Sequence, residues 1–171
     1  QLTQTNFDLL NWPTFTGGGQ RFNLDVTYGA KRRDASLNIV EPWFLGQRLS
    51  LGGDLFYRDL YYLSDVYDQQ NYGFSLNLRK PVGQHSYVDL AYTIQNVKIH
   101  NVDAKASDEI KAEEGSFLQS KIDATYAHDT RDDLYGVTRH GHKIEIGAMV
   151  SGDFLGGDVG VWGFHAEGQQ Y

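Results

Sequence analysis

Apolar and polar side chains alternate along nearly the whole chain, and this period of two constrains the fold more than any other feature. Successive side chains of a strand point to opposite faces, so each alternating run makes one apolar and one polar face. In residues 20–28, Phe22, Leu24, Val26 and Tyr28 fall on one side and Asn23, Asp25 and Thr27 on the other. Residues 35–40 set Leu37 and Ile39 against Ser36 and Asn38, and residues 48–59 set Leu49, Leu51, Leu55 and Tyr57 against Ser50, Asp54 and Arg58. Segments 71–80, 87–97, 117–129 and 142–151 repeat the pattern. Residues 158–171 follow it less cleanly, with Trp162, Phe164 and Ala166 on the apolar side, and residues 1–10 read as a further strand of weak alternation. No segment carries a sustained helical stripe. The acidic stretch 104–114 comes nearest and reads as a solvated loop.

The connectors fall into two sets that take turns along the chain. Residues 13–19, 42–47, 81–85 and 131–141 are rich in turn formers, and between them lie 30–34, 60–70, 101–116 and 152–157. Strands joined consecutively in this way make an antiparallel meander. With 171 residues, the expectation is a single all-β domain over residues 1–171 with eight or nine strands.

Two architectures use such strands. In a soluble sandwich the apolar faces meet in a core; in a transmembrane barrel they face lipid. No run of 18 apolar residues exists, so no transmembrane helix is expected. Aromatic residues gather near strand ends (Trp12, Phe15, Tyr28, Trp43, Phe44, Tyr57, Tyr61, Tyr62, Tyr72, Tyr126), where an interfacial girdle would place them. That favours the membrane. Mid-strand ionisable residues such as Asp25, Asp54, Arg79, Asp89, Lys121 and Lys143 suit either a barrel interior or a sandwich exterior.

Other function classes find little support. The net charge of −7 argues against a nucleic-acid binder. The absence of cysteine excludes disulfides, thiolate metal sites and cysteine nucleophiles. His128, His140 and His142 surround one turn with Asp129, Asp132 and Asp133, but an exposed polar turn explains them more simply than a metal site. Residues 17–19 are no phosphate loop, since no Lys-Ser/Thr follows, and there is no Gly-x-Ser-x-Gly elbow. Lys121 with Asp123, and Lys143 with Glu145, are better read as same-face pairs on neighbouring strands than as acid/base pairs. No enzyme, cofactor or metal is expected.

The connectors carry a resemblance. Asn6-Phe7-Asp8, Asn11-Trp12-Pro13 and Gly17-Gly18-Gly19-Gln20 resemble an early turn of the BamA-like outer-membrane barrel assembly family, the bacterial surface antigens. Glu41-Pro42-Trp43-Phe44-Leu45-Gly46 is similar to the next short turn of that family. Asp129-Thr130-Arg131-Asp132 with Thr138, Arg139 and Gly141 resembles its Asp-x-Arg-Asp…Thr-Arg-Gly turn, although Val137 stands where Pro is usual and His140 interrupts the Arg-Gly step. The resemblance runs in order over essentially the whole chain.

It implies a bacterial outer-membrane barrel that folds and inserts other barrel proteins, without nucleotide or metal. The partners implied are the lipid bilayer and other outer-membrane assembly proteins or a second copy of the chain. By analogy the short turns face the periplasm and residues 101–116 face outside. The family barrel has sixteen strands preceded by POTRA domains; this sequence matches from near the second family strand to near the tenth. No insertase residue carries over. Two alternatives stay open: a small stand-alone barrel with a structural role, closing on eight strands with one terminal run outside, and a soluble sandwich that binds ligands through its aromatic surface.

Overall fold

The computed structural model describes residues 1–7, 16–64, 67–134, 137–138 and 140–171. Its strands are β1 (Leu2–Phe7), β2 (Thr16–Tyr28), β3 (Arg32–Glu41), β4 (Ser50–Ser64), β5 (Tyr67–Pro81), β6 (Ser86–His100), β7 (Gly115–Asp129), β8 (Asp133–Leu134), β9 (Val137–Thr138), β10 (His142–Ser151) and β11 (Val161–Gln170). Nine of them form one antiparallel sheet in the order β1-β2-β3-β4-β5-β6-β7-β10-β11, and β8 pairs only with β9. The short β8–β9 hairpin sits within the connector between β7 and β10, so the main sheet is an up-and-down meander. Its end strands, β1 and β11, do not pair with each other. All nine runs are in the sheet, the upper of the eight or nine strands expected, and neither terminal run is left outside it.

The register shows why alternation produced two continuous faces. Leu24 lies opposite Leu37, Leu37 opposite Leu55, Leu55 opposite Phe74 and Phe74 opposite Ile94. Farther along, Tyr126, Ile146 and Ala166 stand in one transverse row. A slip of one residue at any ladder would move a whole strand's apolar set to the wrong face.

These apolar side chains have no second layer to meet. Leu55 is 54% exposed, Leu90 46%, Ile146 53% and Phe164 78%. Among the described residues the buried hydrophobic side chains are Val97, Ile99, Ala106 and Ala127. Three of them alternate with the apolar face and lie on the polar one. A sandwich would bury the apolar face, so that reading is set aside; an apolar face this broad and bare belongs against lipid.

Three connector expectations are revised. Residues 60–70 are not a long loop, because β4 runs on to Ser64 and β5 starts at Tyr67, with Ser64 opposite Tyr67. The charged and polar residues there mark strand ends that extend past the apolar band. Strand β2 begins at Thr16, so Gly17-Gly18-Gly19 belongs to a strand rather than a turn. The acidic stretch contains a helix, α1 (Asp108–Ala112), whose N-cap Ser107 accepts the Ile110 N–H.

Candidate functional site on the polar face and its turns

The polar face is the concave one. Arg21 of β2 and His165 of β11 line the same cavity of about 540 Å³, together with Asn77, Arg79, Asp89, Asp123 and Glu145. Seven strand spacings separate β2 from β11, roughly 34 Å in a flat sheet, so the sheet must curl around this face. Strand twist and cross-strand shear supply the curl.

Inside the concavity, charges and amides meet in specific sets. Asp54 of β4 accepts from Asn38 Nδ2 at 2.5 Å, from Asn77 Nδ2 at 2.8 Å and from Ser75 Oγ at 3.2 Å, joining β3, β4 and β5. Arg79 and Asp89 face each other across β5 and β6 in a two-pronged ion pair of 2.6 and 2.7 Å, and the guanidinium lies 4.4 Å from the Tyr87 ring centroid. Lys143 and Glu145 pair at 2.7 Å, and the Tyr87 hydroxyl reaches Glu145 at 3.3 Å. This last ion pair lies along one strand, two residues apart, not across neighbouring strands as expected. Asp123 takes the Thr125 hydroxyl at 3.0 Å. Arg32 and Asp34 form a further ion pair at the start of β3. The set is a hydrophilic lining suited to water.

The motif-bearing turns follow one rule: a side-chain oxygen takes a backbone N–H that the ladder leaves free. At the start of the sheet Asn6 has φ +63, and its Oδ1 accepts the Gly19 N–H at 2.9 Å. Phe7 pairs with both Thr16 and Gln20, so residues 17–19 bulge, and Gly19 at φ +72 permits it. Asp8, Asn11, Trp12, Pro13 and Phe15 lie outside the described residues.

In the second turn Glu41 does two tasks. Its Oε1 accepts the Trp43 N–H at 3.0 Å and its Oε2 accepts Gln20 Nε2 at 2.7 Å, tying the turn to β2. Pro42 leads into the 3₁₀ turn Phe44–Gly46, where Leu45 and Gly46 have φ +57 and +68. Trp43 is exposed at this end of the sheet.

In the third turn Asp129 clamps Arg131 with bonds of 2.8 and 2.7 Å and also accepts the Arg131 N–H at 3.2 Å. Hydrogen bonding to Asp129 raises the Arg131 guanidinium above its ordinary value, so it stays charged. Asp132 Oδ1 accepts the His140 N–H at 2.7 Å. Gly141 has φ +111, and a Cβ there would stand 2.5 Å from the Thr130 carbonyl oxygen, so glycine is required. The final residue docks on this turn: Tyr171 N–H donates to the Gly141 carbonyl at 3.0 Å, and its ring lies 6.0 Å from the Arg131 guanidinium carbon. Thr138 contributes backbone to β9, and Arg139 lies outside the described residues. The histidines gather differently from the sequence grouping, with the His128 ring 5.5 Å from that of His142 in a tilted contact and 6.4 Å from that of His85 edge to face. Among the described residues no group of three is placed to hold a metal ion.

One feature escaped the sequence reading. Strand β10 stops at Ser151, opposite Lys121, which leaves the start of β7 without a partner on that side. The loop after β10 folds back over it. Gly152 N–H donates to the Ser120 carbonyl, Asp158 N–H donates to the Leu118 carbonyl, and Asp158 Oδ2 accepts the Leu118 N–H at 2.7 Å. The signal was Gly156-Gly157-Asp158, a turn dipeptide before an acceptor side chain.

Comparison with known proteins places this arrangement. The profile of the Omp85 superfamily domain matches residues 14–171. The outer membrane protein assembly factor BamA of Nitratidesulfovibrio vulgaris is 25% identical over 142 residues, which make up 83% of this chain and 18% of that protein. Among solved structures, BamA from Haemophilus ducreyi lacking POTRA domains 1-3 superposes with a TM-score of 0.66 at 20% identity, covering 87% of this chain and 30% of that one. The chain thus spans less than a third of either relative.

Proposed function

The chain belongs to the Omp85 superfamily and is a β-barrel chain of the bacterial outer membrane, and from that premise we propose that it forms part of the barrel of a BamA-like factor that inserts other barrel proteins. The observation that carries the reading is the unclosed nine-strand meander, apolar outside and polar inside. An open edge exposes a row of unpaired N–H and C=O groups, which lipid does not tolerate. Each edge, β1 and β11, therefore calls for a further strand beside it, as in a barrel larger than these nine strands supply. The whole stretch 1–171 acts as one barrel-forming unit. The turns at Glu41–Pro42–Trp43–Phe44 and at Asp129–Gly141 stand on the periplasmic side, and residues 101–116 with α1 stand outside. The work is mechanical rather than catalytic, and the bilayer is the first partner.

Electrophoretic heat-modifiability tests the incomplete-barrel part. The 171-residue chain refolded alone in detergent is expected to run alike in SDS with and without boiling, since its edges lack neighbours. A clear shift would assign it instead to a small stand-alone barrel with a structural role. Insertion is tested with the intact protein in vesicles. It should speed the folding of an unfolded client barrel over empty vesicles, and equal rates would overturn the assembly role.

A further inference from the structure

The apolar outer face ends abruptly in one transverse row at the end of the sheet opposite the motif-bearing turns. Tyr28 lies opposite Arg33, Arg33 opposite Asp59, Asp59 opposite Gln70 and Gln70 opposite Lys98. Directly beneath this row stand Ala35 and Tyr57, then Leu37 and Leu55. Along β3 and β4 the polar and cationic row gives way through Ala35 and Tyr57 to Leu37 and Leu55, with Tyr72 beneath Gln70 and Asn96 beneath Lys98, as at the boundary between headgroups and acyl chains.

Arg33 is held in an unusual way for an exposed cation. Its guanidinium carbon lies 5.1 Å from the Tyr28 ring centroid and 5.0 Å from that of Tyr61, and its Nη1 donates to the Tyr61 hydroxyl at 3.2 Å. Two rings fix the plane of the fork. A guanidinium carries five N–H donors, and among the described residues only the bond to Tyr61 uses one of them. Asp59, 4% exposed, lies opposite Arg33 and hydrogen-bonds the same Tyr61, while the cations Arg33 and Lys98 are the exposed charges of the row. Arg33 closes Lys31-Arg32-Arg33, the sole run of three cations in a chain of net charge −7. Below the row lies a groove of about 550 Å³ on the apolar face, lined by Leu24, Ala35, Leu37, Leu55, Tyr57 and Phe74 among others.

We propose that this corner is a binding site for a lipid bearing an exposed phosphate, with the phosphate on the Arg33 fork and an acyl chain in the groove beneath. A planar guanidinium matches two phosphate oxygens at once, which an ammonium does not. Lys98, three strand spacings along the row and about 14 Å away, adds positive potential at the same depth. The aromatic pair preorganises Arg33, so little side-chain freedom is lost on binding. The inference rests on the outer-membrane barrel reading and deepens it by naming a lipid class.

The test uses the intact protein, purified in neutral detergent and examined by native mass spectrometry. The probes are a diacylglycerol phosphate and a phosphatidylcholine with the same chains. Wild type should retain the phosphate lipid preferentially, Arg33→Gln should reduce that preference about tenfold, and Lys105→Gln in the exposed loop should leave it unchanged. Equal retention by wild type and Arg33→Gln overturns the site. Inorganic phosphate binding as tightly as the lipid also overturns it, because the groove would then contribute nothing. SDS resistance without heating is measured on each variant. A folded barrel with unchanged lipid preference sinks the lipid site alone, whereas a protein that never forms an SDS-resistant barrel sinks the barrel reading as well.

Discussion

The two faces of one sheet are stabilised by opposite logic. On the concave face polar groups pair in specific sets: Asp54 with Asn38, Ser75 and Asn77; Arg79 with Asp89; Lys143 with Glu145. On the convex face Leu55, Leu90, Ile146 and Phe164 have no internal layer to pack on, and the stabilisation comes from the surrounding lipid. The concave face is specified by pairwise geometry, and the convex face only by being apolar. Substitutions should therefore behave differently on adjacent residues of the same strand.

Phe74 and Ser75 of β5 put this to the sharpest test. An Arg in place of Phe74 lies in the apolar band and should destabilise the folded intact barrel by about 2–4 kcal/mol. An Arg in place of Ser75 enters the polar face beside Asp54 and should cost less than about 1 kcal/mol. Urea titration of the barrel in lipid vesicles reads both, and equal losses would break the distinction between the faces.

Next in size is Asp54→Leu, which strands three donors on β3 and β5. A loss of about 1–3 kcal/mol is expected, toward the lower end because water reaches the concave face. Asp54→Asn should restore part of it by keeping one acceptor oxygen. Complete tolerance of the leucine would mean that the concave face needs no pairing at all.

A third comparison concerns the edge of β7. Gly157 has φ +108, and a Cβ there would stand 2.9 Å from the Leu118 carbonyl oxygen. Gly157→Ala should cost about 1–3 kcal/mol. Faster hydrogen exchange at Leu118, with the Leu90 amide unchanged, would place the loss in the folded-back loop. Arg79→Ala should matter less, about 1 kcal/mol or below, since Arg79 is 57% exposed and water screens the pair.

The smallest effect belongs to neither face. Glu109 in α1 takes hydrogen bonds from its own backbone N–H and from Ser107, which hold its carboxyl below the usual carboxylate value. A lowered folded value stabilises above the unfolded value and the contribution is lost as pH falls through the folded one. Amide exchange at Lys111 and Glu113 should therefore quicken in acid below the ordinary carboxylate range, while sheet amides such as that of Leu55 hold. Uniform quickening would show that α1 is coupled to the sheet.

Much of this molecule is legible in its residues. Phe22, Leu24, Val26 and Tyr28 announce one strand and its two faces without any knowledge of partners, because alternation is a property of a single chain segment. The turn motifs were legible for a related reason. Asn6, Glu41, Asp129 and Asp132 act within a few residues or on the adjacent strand, so order and spacing preserve them. The length of β4 and β5 was not legible. Beyond Leu60 the alternation breaks, as before a loop, yet β4 runs on to Ser64, which pairs with Tyr67 of β5 after a register shift.

By itself the sequence determined the strand count of the main sheet to within one, the meander and the two faces, since those follow from local periodicity and consecutive pairing. Only the tertiary structure decided the direction of curl, the gathering of Asn38, Asp54, Ser75 and Asn77, the return of Asp158 to Leu118, and the capture of Arg33 between Tyr28 and Tyr61. Each of these joins residues across two or more strands, and cross-strand register is set by the whole sheet rather than by any segment in it.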